Sequence, residues 1–478
     1  MTERGASPAL RTDLAALIAL ALPSAVTLLL NNAYRFNDLY FVGLLPGQAA
    51  VTAQAAVAVA GLVTILCYAF YEGLATGVMA ASARAHGAAD PQRARRIFEV
   101  GLVSAICICA TIAVVGTVFL DPLCALLLGV DGADTSSAKR DEMRELAAYL
   151  GPCLQASIFL CLAPLTGHAF LAMRDSRTPL LLEILAVAVN TALNAVLVPT
   201  YGCAGAGWAT VLSRVVSSSI GLLLLHRRLP RSDGSDRRSA ARIGLDIARV
   251  GLPAVVAIGF YSIAYQAVLA TSFPPFGAVG RAAFGIGFTI EGLAFCFVWG
   301  VANAGGSLAA NALGHGLVAE AKAVVRRAIG VGLLFVVPQT LLFMLGADAL
   351  AALLSTDGAT RCEVARYLRI IAWSQWAVAV QGIQEVVLYA TGYATAPCLS
   401  TLFWNASRIP LCYVLAAQHG LAGIWWAINL TSYGKALTAT WLFRRGTWQR
   451  TGLDAQYTAA GRSTNAAGRT DTGSESRT

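Results

Sequence analysis

Tyr201-Gly202-Cys203-Ala204-Gly205-Ala206-Gly207-Trp208-Ala209 is answered, 218 residues later, by His419-Gly420-Leu421-Ala422-Gly423-Ile424-Trp425-Trp426-Ala427. Two glycines, two alanines and a tryptophan coincide at that offset. Outward from this stretch, Pro179 falls on Pro397 and Tyr149-Leu150 on Tyr367-Leu368, so the register holds from Tyr149 to about His226. Earlier in each half, Leu22-Pro23 answers Leu252-Pro253 and His86-Gly87 answers His315-Gly316, at offsets of 230 and 229. A repeat of this length bounds the fold before any local reading does. In an apolar chain, two long halves point to a transporter built by duplication.

Composition agrees. The chain is 57% hydrophobic and 13% charged, with a mean hydropathy of +0.63, whereas a soluble chain carries about 25% charged residues. Apolar runs long enough to cross a hydrocarbon core of about 30 Å recur along nearly its whole length. The first run, from near Leu14, is too long for a cleaved signal and contains Asn31, Asn32 and Asp38, so it reads as an uncleaved span. The net charge of +9 belongs to arginines in short loops, a membrane-orientation pattern and not a nucleic-acid surface. The eleven cysteines lack metal-binding or disulfide spacing, and no Walker A sequence is present for direct drive by ATP.

The expected fold is all-α and polytopic, with twelve transmembrane helices. They are 12–44, 50–84, 94–120, 144–172, 179–200 and 205–226, then 243–272, 279–313, 323–346, 364–391, 395–418 and 421–444. Six spans per half is an even number, so the copies are parallel repeats about an axis along the membrane normal. Four domains follow: a lobe over 12–226, a cytoplasmic connector over 227–242, a lobe over 243–445, and a disordered cytoplasmic tail over 446–478. Arg84, Arg93, Arg95, Arg96, Arg174, Arg177, Lys322, Arg326 and Arg327 lie on the loops that share a side with the termini. The positive-inside rule makes that side cytoplasmic, in the inner (plasma) membrane.

Ionisable residues inside spans are functional candidates, since each costs at least about 2.5–3.5 kcal/mol to insert. Asn31, Tyr34, Arg35 and Asp38 fall at i, i+3, i+4 and i+7, one helix face that must turn away from lipid. Desolvation favours the neutral carboxyl, so a buried Asp38 is suited to taking up a proton. Arg35 opposes that, unless it pairs with Glu72 of the second helix or contacts substrate. Asn190 and Asn194 share a face of the fifth helix, and Thr210 follows in the sixth. The second half offers Gln266 in the seventh helix, and Gln381 and Glu385 in the tenth. His168 is the histidine placed inside a span. Glu291 reads as a packing or hydrogen-bonding residue, and Arg214, Arg408 and Lys435 as residues that snorkel or pair.

Several motifs, in order over about 15–445, resemble those of multidrug and toxic compound extrusion (MATE) transporters. Asp38-Leu39-Tyr40-Phe41-Val42-Gly43 is similar to their D-x-x-F-V-G, and Asp175-Ser176-Arg177-Thr178-Pro179 to their G-D-T-R-x-P loop, with Arg174 for the glycine. Ile290-Glu291-Gly292, Arg408-Ile409-Pro410-Leu411 and Gly423-Ile424-Trp425 resemble signatures of the second half. Within the family the chain looks closest to the bacterial DinF-like branch. The resemblance implies twelve spans, alternating access and ion-driven export, with Asp38 as the proton-binding group. It also implies an acid where Asn194 stands, and a seventh-helix glutamate in other branches that is missing here.

The reading is therefore an exporter that exchanges H⁺, or alternatively Na⁺, for an amphiphilic and often cationic organic compound. It would act as a monomer in the bilayer, with no cofactor, metal or nucleic acid. A lipid or lipid-linked oligosaccharide flippase of the wider superfamily is the rival transporter. An enzyme is disfavoured, because no paired acid/base or metal set is visible.

Overall fold

The computed structural model describes residues 14–128, 137–230, 240–355 and 357–449, and the side chain of Arg35 lies outside the described residues. The first half runs α1 (Leu14–Gly43), α2 (Gln48–Gly87), α3 (Pro91–Val118), short α4 (Leu120–Leu128), α5 (Ser137–Gln155), α6 (Ser157–Ala172) and α7 (Arg177–Arg228). The second opens with α8 (Ala240–Ser272), a 3-10 turn at Pro274–Phe276, α9 (Gly277–Gly314), α10 (Val318–Leu345) and short α11 (Ala347–Leu354). It closes with α12 (Gly358–Ala372), α13 (Gln375–Ala390), α14 (Thr395–His419) and α15 (Leu421–Arg445). No strand occurs among the described residues. Seven of these helices are long and apolar enough to cross a membrane, or eight if the bent pair α5–α6 is one span.

A helix lies over each segment expected to span, with two differences. The segments 144–172 and 364–391 are not single helices. The first breaks at Ala156, with a bend of 55° measured over Lys139–Gln155 and Ser157–Ala172, and the second at Trp373-Ser374. Ala156 and Ser374 stand 218 residues apart, so the break is a property of the repeat.

The repeated glycines have two separate jobs. Gly202 (φ 58°) interrupts α7, and Gly420 (φ 62°) separates α14 from α15. Both occupy backbone that is nearly reserved for glycine. Three residues on, a Cβ on Gly205 would stand 2.4 Å from the carbonyl oxygen of Leu197, and one on Gly423 would stand 2.0 Å from that of Leu415. Each helix therefore doubles back against its predecessor only because that side chain is missing. Trp208 and Trp426, the repeated tryptophans, are both largely exposed, as suits a lipid-facing ring.

The halves meet along two reciprocal seams, α1 on α9 and α2 on α8. Small residues allow close backbone approach there, as between membrane helices generally. A Cβ on Gly300 would lie 2.5 Å from Ala25 N, and one on Gly77 2.5 Å from Ile247 O. At one end of the seams each half caps the other. Ser307 Oγ and Asn311 Nδ2, on α9, donate to the last carbonyls of α6, Leu171 (2.6 Å) and Ala172 (3.1 Å). Arg84, on α2, donates to the carbonyl of Thr391 at the end of α13.

The expected connector is shorter than 227–242, because α7 continues to Arg228 and α8 starts at Ala240; residues 231–239 lie outside the described residues. The tail also begins later than 446. Thr447–Gln449 form a 3-10 turn and Trp448 is fully buried, its ring 4.9 Å from that of Phe443. Residues from 450 lie outside the described ones.

Candidate functional site

The Asp38 carboxylate is 1% exposed and accepts hydrogen bonds from two helices, α5 and α7. Its Oδ2 takes the hydroxyls of Tyr149 (2.9 Å, α5) and Thr210 (2.8 Å, α7). Its Oδ1 takes the amides of Asn194 (2.8 Å) and Asn190 (3.4 Å), both on α7. The i, i+4 spacing puts both asparagines on one face, and Asn37 Nδ2 in turn donates to Asn190 Oδ1 at 2.6 Å. All four groups around Asp38 are neutral donors. Hydrogen bonds to a charged acceptor are worth about 1.5–3 kcal/mol each, against about 0.5–1.5 for neutral ones. Asn194 Oδ1 is buried with no hydrogen-bond partner.

Asp38 lines a cavity of about 420 Å³ walled by the first half apart from Asn303 of α9, together with Asn31, Tyr34, Glu72, His168, Glu183, Thr210 and Arg214. Two ion pairs stand in its wall. Arg214 binds Glu183 through two hydrogen bonds, 2.7 and 2.9 Å, and both residues are buried. The same guanidinium donates to Asn31 Oδ1 at 3.2 Å and lies 4.1 Å over the Tyr34 ring. Glu72 Oε1 lies 3.3 Å from His168 Nε2, while the Tyr68 hydroxyl donates to its Oε2 at 3.2 Å. Among the described residues, each carboxylate of the wall other than Asp38 thus has a cationic or potentially cationic partner. Among the described residues, no group of three or more His, Cys, Asp or Glu side chains is placed to hold a metal.

The face of α1 read from sequence therefore meets the cavity, through Asn31, Tyr34 and Asp38. Asn190, Asn194 and Thr210 join it through their bonds to Asp38. The suggested Arg35–Glu72 pair rests on a side chain outside the described residues; among those described, Glu72 pairs with His168, since two facing helices bring residues 96 positions apart into contact. Gln266 stands exposed on α8, outside the cavity; it lies one residue on from Tyr265, and successive helix positions face about 100° apart. Gln381 and Glu385 lie on α13 in the other half. Glu385 accepts from Thr401 Oγ1 (2.6 Å) and from Gln381, beside Lys435, around a void of about 10 Å³. That is room for about one water and not for an organic molecule.

Arg214 pairs as expected of it. Arg408 does not snorkel: it is buried, donates to Thr431 Oγ1 at 2.8 Å, and lies 5.0 Å over the Tyr265 ring. Glu291 has the hydrogen-bonding place expected of it, accepting from the Tyr367 hydroxyl (2.7 Å) and Gln375 Nε2 (2.9 Å). Sequence reasoning missed Glu183, although an acid inside an apolar segment is a signal in itself. It also gave Tyr149 no role beyond its repeat match with Tyr367, which says nothing of a carboxylate opposite.

A polytopic helical membrane transporter with its polar site inside one half is the class these features define. The MatE family model matches residues 23–196 and again 253–414, once in each half. The chain belongs to the MatE family. It is 24% identical over 447 residues to the FAD transporter of Shewanella oneidensis, covering 90% of this chain and 94% of that protein. It is 28% identical over 467 residues to the probable multidrug resistance protein NorM of Rhodopseudomonas palustris, covering 92% and 93%. Its fold matches a MOP superfamily transporter from Pyrococcus furiosus with a TM-score of 0.82 at 21% identity, over 92% of this chain and 98% of that one.

Proposed function

We propose that this protein is a secondary active exporter that couples inward proton flow to outward movement of an amphiphilic, cationic organic compound, with Asp38 carrying a coupling proton. One observation carries the reading: among the described residues, Asp38 is the carboxylate of the cavity wall held by neutral donors alone. Protonation turns four charge-assisted bonds into neutral ones, a loss of roughly 1 kcal/mol each. It thereby loosens the tie of α1 to α5 and α7. The unpartnered Asn194 Oδ1 is an acceptor waiting for the new O–H once its amide turns. A membrane potential adds about 2.3 kcal/mol per charge per 100 mV.

Proton coupling is favoured over sodium because the four groups around Asp38 point hydrogens at it. A cation needs lone pairs aimed inward. A cationic substrate is favoured over an anion such as the flavin cofactor named for the Shewanella relative. The described cations of the wall, Arg214 and His168, are already engaged by Glu183 and Glu72. The rest of the proposal follows the same lines: twelve spans in two parallel lobes, action as a monomer, and residence in the inner membrane with cytoplasmic termini. The cross-half caps of Arg84, Ser307 and Asn311 lie beside the arginine-rich loops, and so close the cytoplasmic side. In everted vesicles a proton gradient should drive dye uptake, and Asp38→Asn should abolish it in protein that still reaches the membrane. Uptake driven by sodium and insensitive to an uncoupler would refute the proton assignment.

A further inference from the structure

The hydrogen bonds of His168 fix how many protons its pair with Glu72 must hold. Nδ1 lies 3.0 Å from the carbonyl oxygen of Pro164, which can only accept, so Nδ1 carries a hydrogen. Nε2 lies 3.3 Å from Glu72 Oε1. A bare Nε2 facing an ionised carboxylate would set two lone pairs against each other, so one proton occupies that gap. The Tyr68 hydroxyl serves the other oxygen, Oε2. Both side chains keep access to the cavity, at 11% and 20% exposure. Among the described residues, the other titratable and charged groups sharing this wall are Tyr34 and Asp38 on α1, Tyr68 and Tyr71 on α2, Tyr149 on α5, and Glu183 and Arg214 on α7; α9 contributes the neutral Asn303.

We propose that the Glu72–His168 pair is a second proton station, and the docking point for the cationic group of the transported compound. This rests on the export reading. The cation pairs with the Glu72 carboxylate; the Nε2–H bond breaks, and its proton leaves through cavity water. Neutral His168 remains, with Nδ1–H still on Pro164. One positive charge enters as one departs, so the wall keeps its charge balance. Among the described residues Asp38 has no cation to surrender, and its proton is governed by its neutral cage. Proton and substrate exclude each other at Glu72, which is the competition an antiporter requires, since two ligands that share one site oppose each other's binding.

Tetraphenylphosphonium tests this, being a permanent monocation with no proton of its own. With purified full-length protein in weak buffer, the wild type should release about one proton per cation bound, and its affinity should rise about tenfold per pH unit where the exchange is one for one. Glu72→Gln and His168→Gln should release none, while Glu72→Asp should restore release. Unchanged release in both glutamine variants would overturn the inference. So would a wild-type affinity that is flat over about two pH units around neutrality, a measurement that needs no variant to fold. Wild-type binding without proton release overturns this inference and leaves the export reading standing; no binding at all overturns both.

Discussion

In the first half the Tyr149 hydroxyl meets Asp38 of α1; in the second its repeat partner Tyr367 meets Glu291 of α9. The phenol has kept its place in the repeat while the acid comes from a helix that is not the counterpart. The remaining partners differ as well. Asp38 is completed by Asn190, Asn194 and Thr210, and it opens on the cavity. Glu291 is completed by Gln375, which is itself tied to Gln339 (2.9 Å). The position of Asn190 is taken in the second half by Arg408, a permanent buried charge. Duplication thus preserved the scaffold and let the chemistry diverge: among the described residues, one half holds an acid without a countercharge, and the other surrounds its acid with fixed structure.

The comparison breaks most decisively on paired substitutions of the two acids. Asp38→Asn should reduce proton-driven dye transport in everted vesicles to background. Glu291→Gln should leave transport within a few-fold of wild type and lower the melting temperature. Equal loss in both would mean that both halves couple. Next in size is the wall of the first half. Arg214→Met strands the buried Glu183 carboxylate and should cost about 3–5 kcal/mol, seen as a lower unfolding temperature in detergent, and a double change with Glu183→Leu should recover most of it.

The tyrosines sharpen the contrast further. Tyr149→Phe removes one bond of the Asp38 cage and should shift the pH profile of transport, whereas Tyr367→Phe should cost stability of about 1 kcal/mol and leave that profile in place. The scaffold should instead respond symmetrically. Gly202→Ala and Gly420→Ala each force a side chain into glycine-only backbone at about 1–3 kcal/mol, with similar falls in melting temperature.

The smallest effect lies in the loop between α6 and α7. Burial alone would raise the Asp175 carboxyl, but the Thr178 side chain and backbone, with Arg228, hold it below the ordinary aspartate range. A depressed acid stabilises the fold above its unfolded-state value and loses that contribution as pH falls through the folded one. Asp175→Asn should therefore flatten the acid limb of the stability profile.

Helix positions were legible because insertion into a bilayer leaves its mark on composition, and the repeat was legible because glycine, proline and tryptophan answer to backbone geometry. The α1 face was legible for the same kind of reason, since helical spacing alone puts Asn31, Tyr34 and Asp38 together. Partners were not. Glu72 could be read beside Arg35 only because both were rare charges in neighbouring helices; that the packing of α2 on α6 sets His168 against it was not legible.

By itself, then, the sequence determined a membrane-embedded helical chain made of two copies, with a polar stripe in its first helix, since hydropathy, helical period and glycine conformation are local properties. Tertiary structure alone decided which charges neutralise one another. Among the described residues it paired Arg214 with Glu183 and His168 with Glu72, left Asp38 to neutral donors, and sent Glu385 to a separate pocket. Electrostatic partnership depends on distances of about 3 Å between residues remote in the chain, which no local pattern encodes.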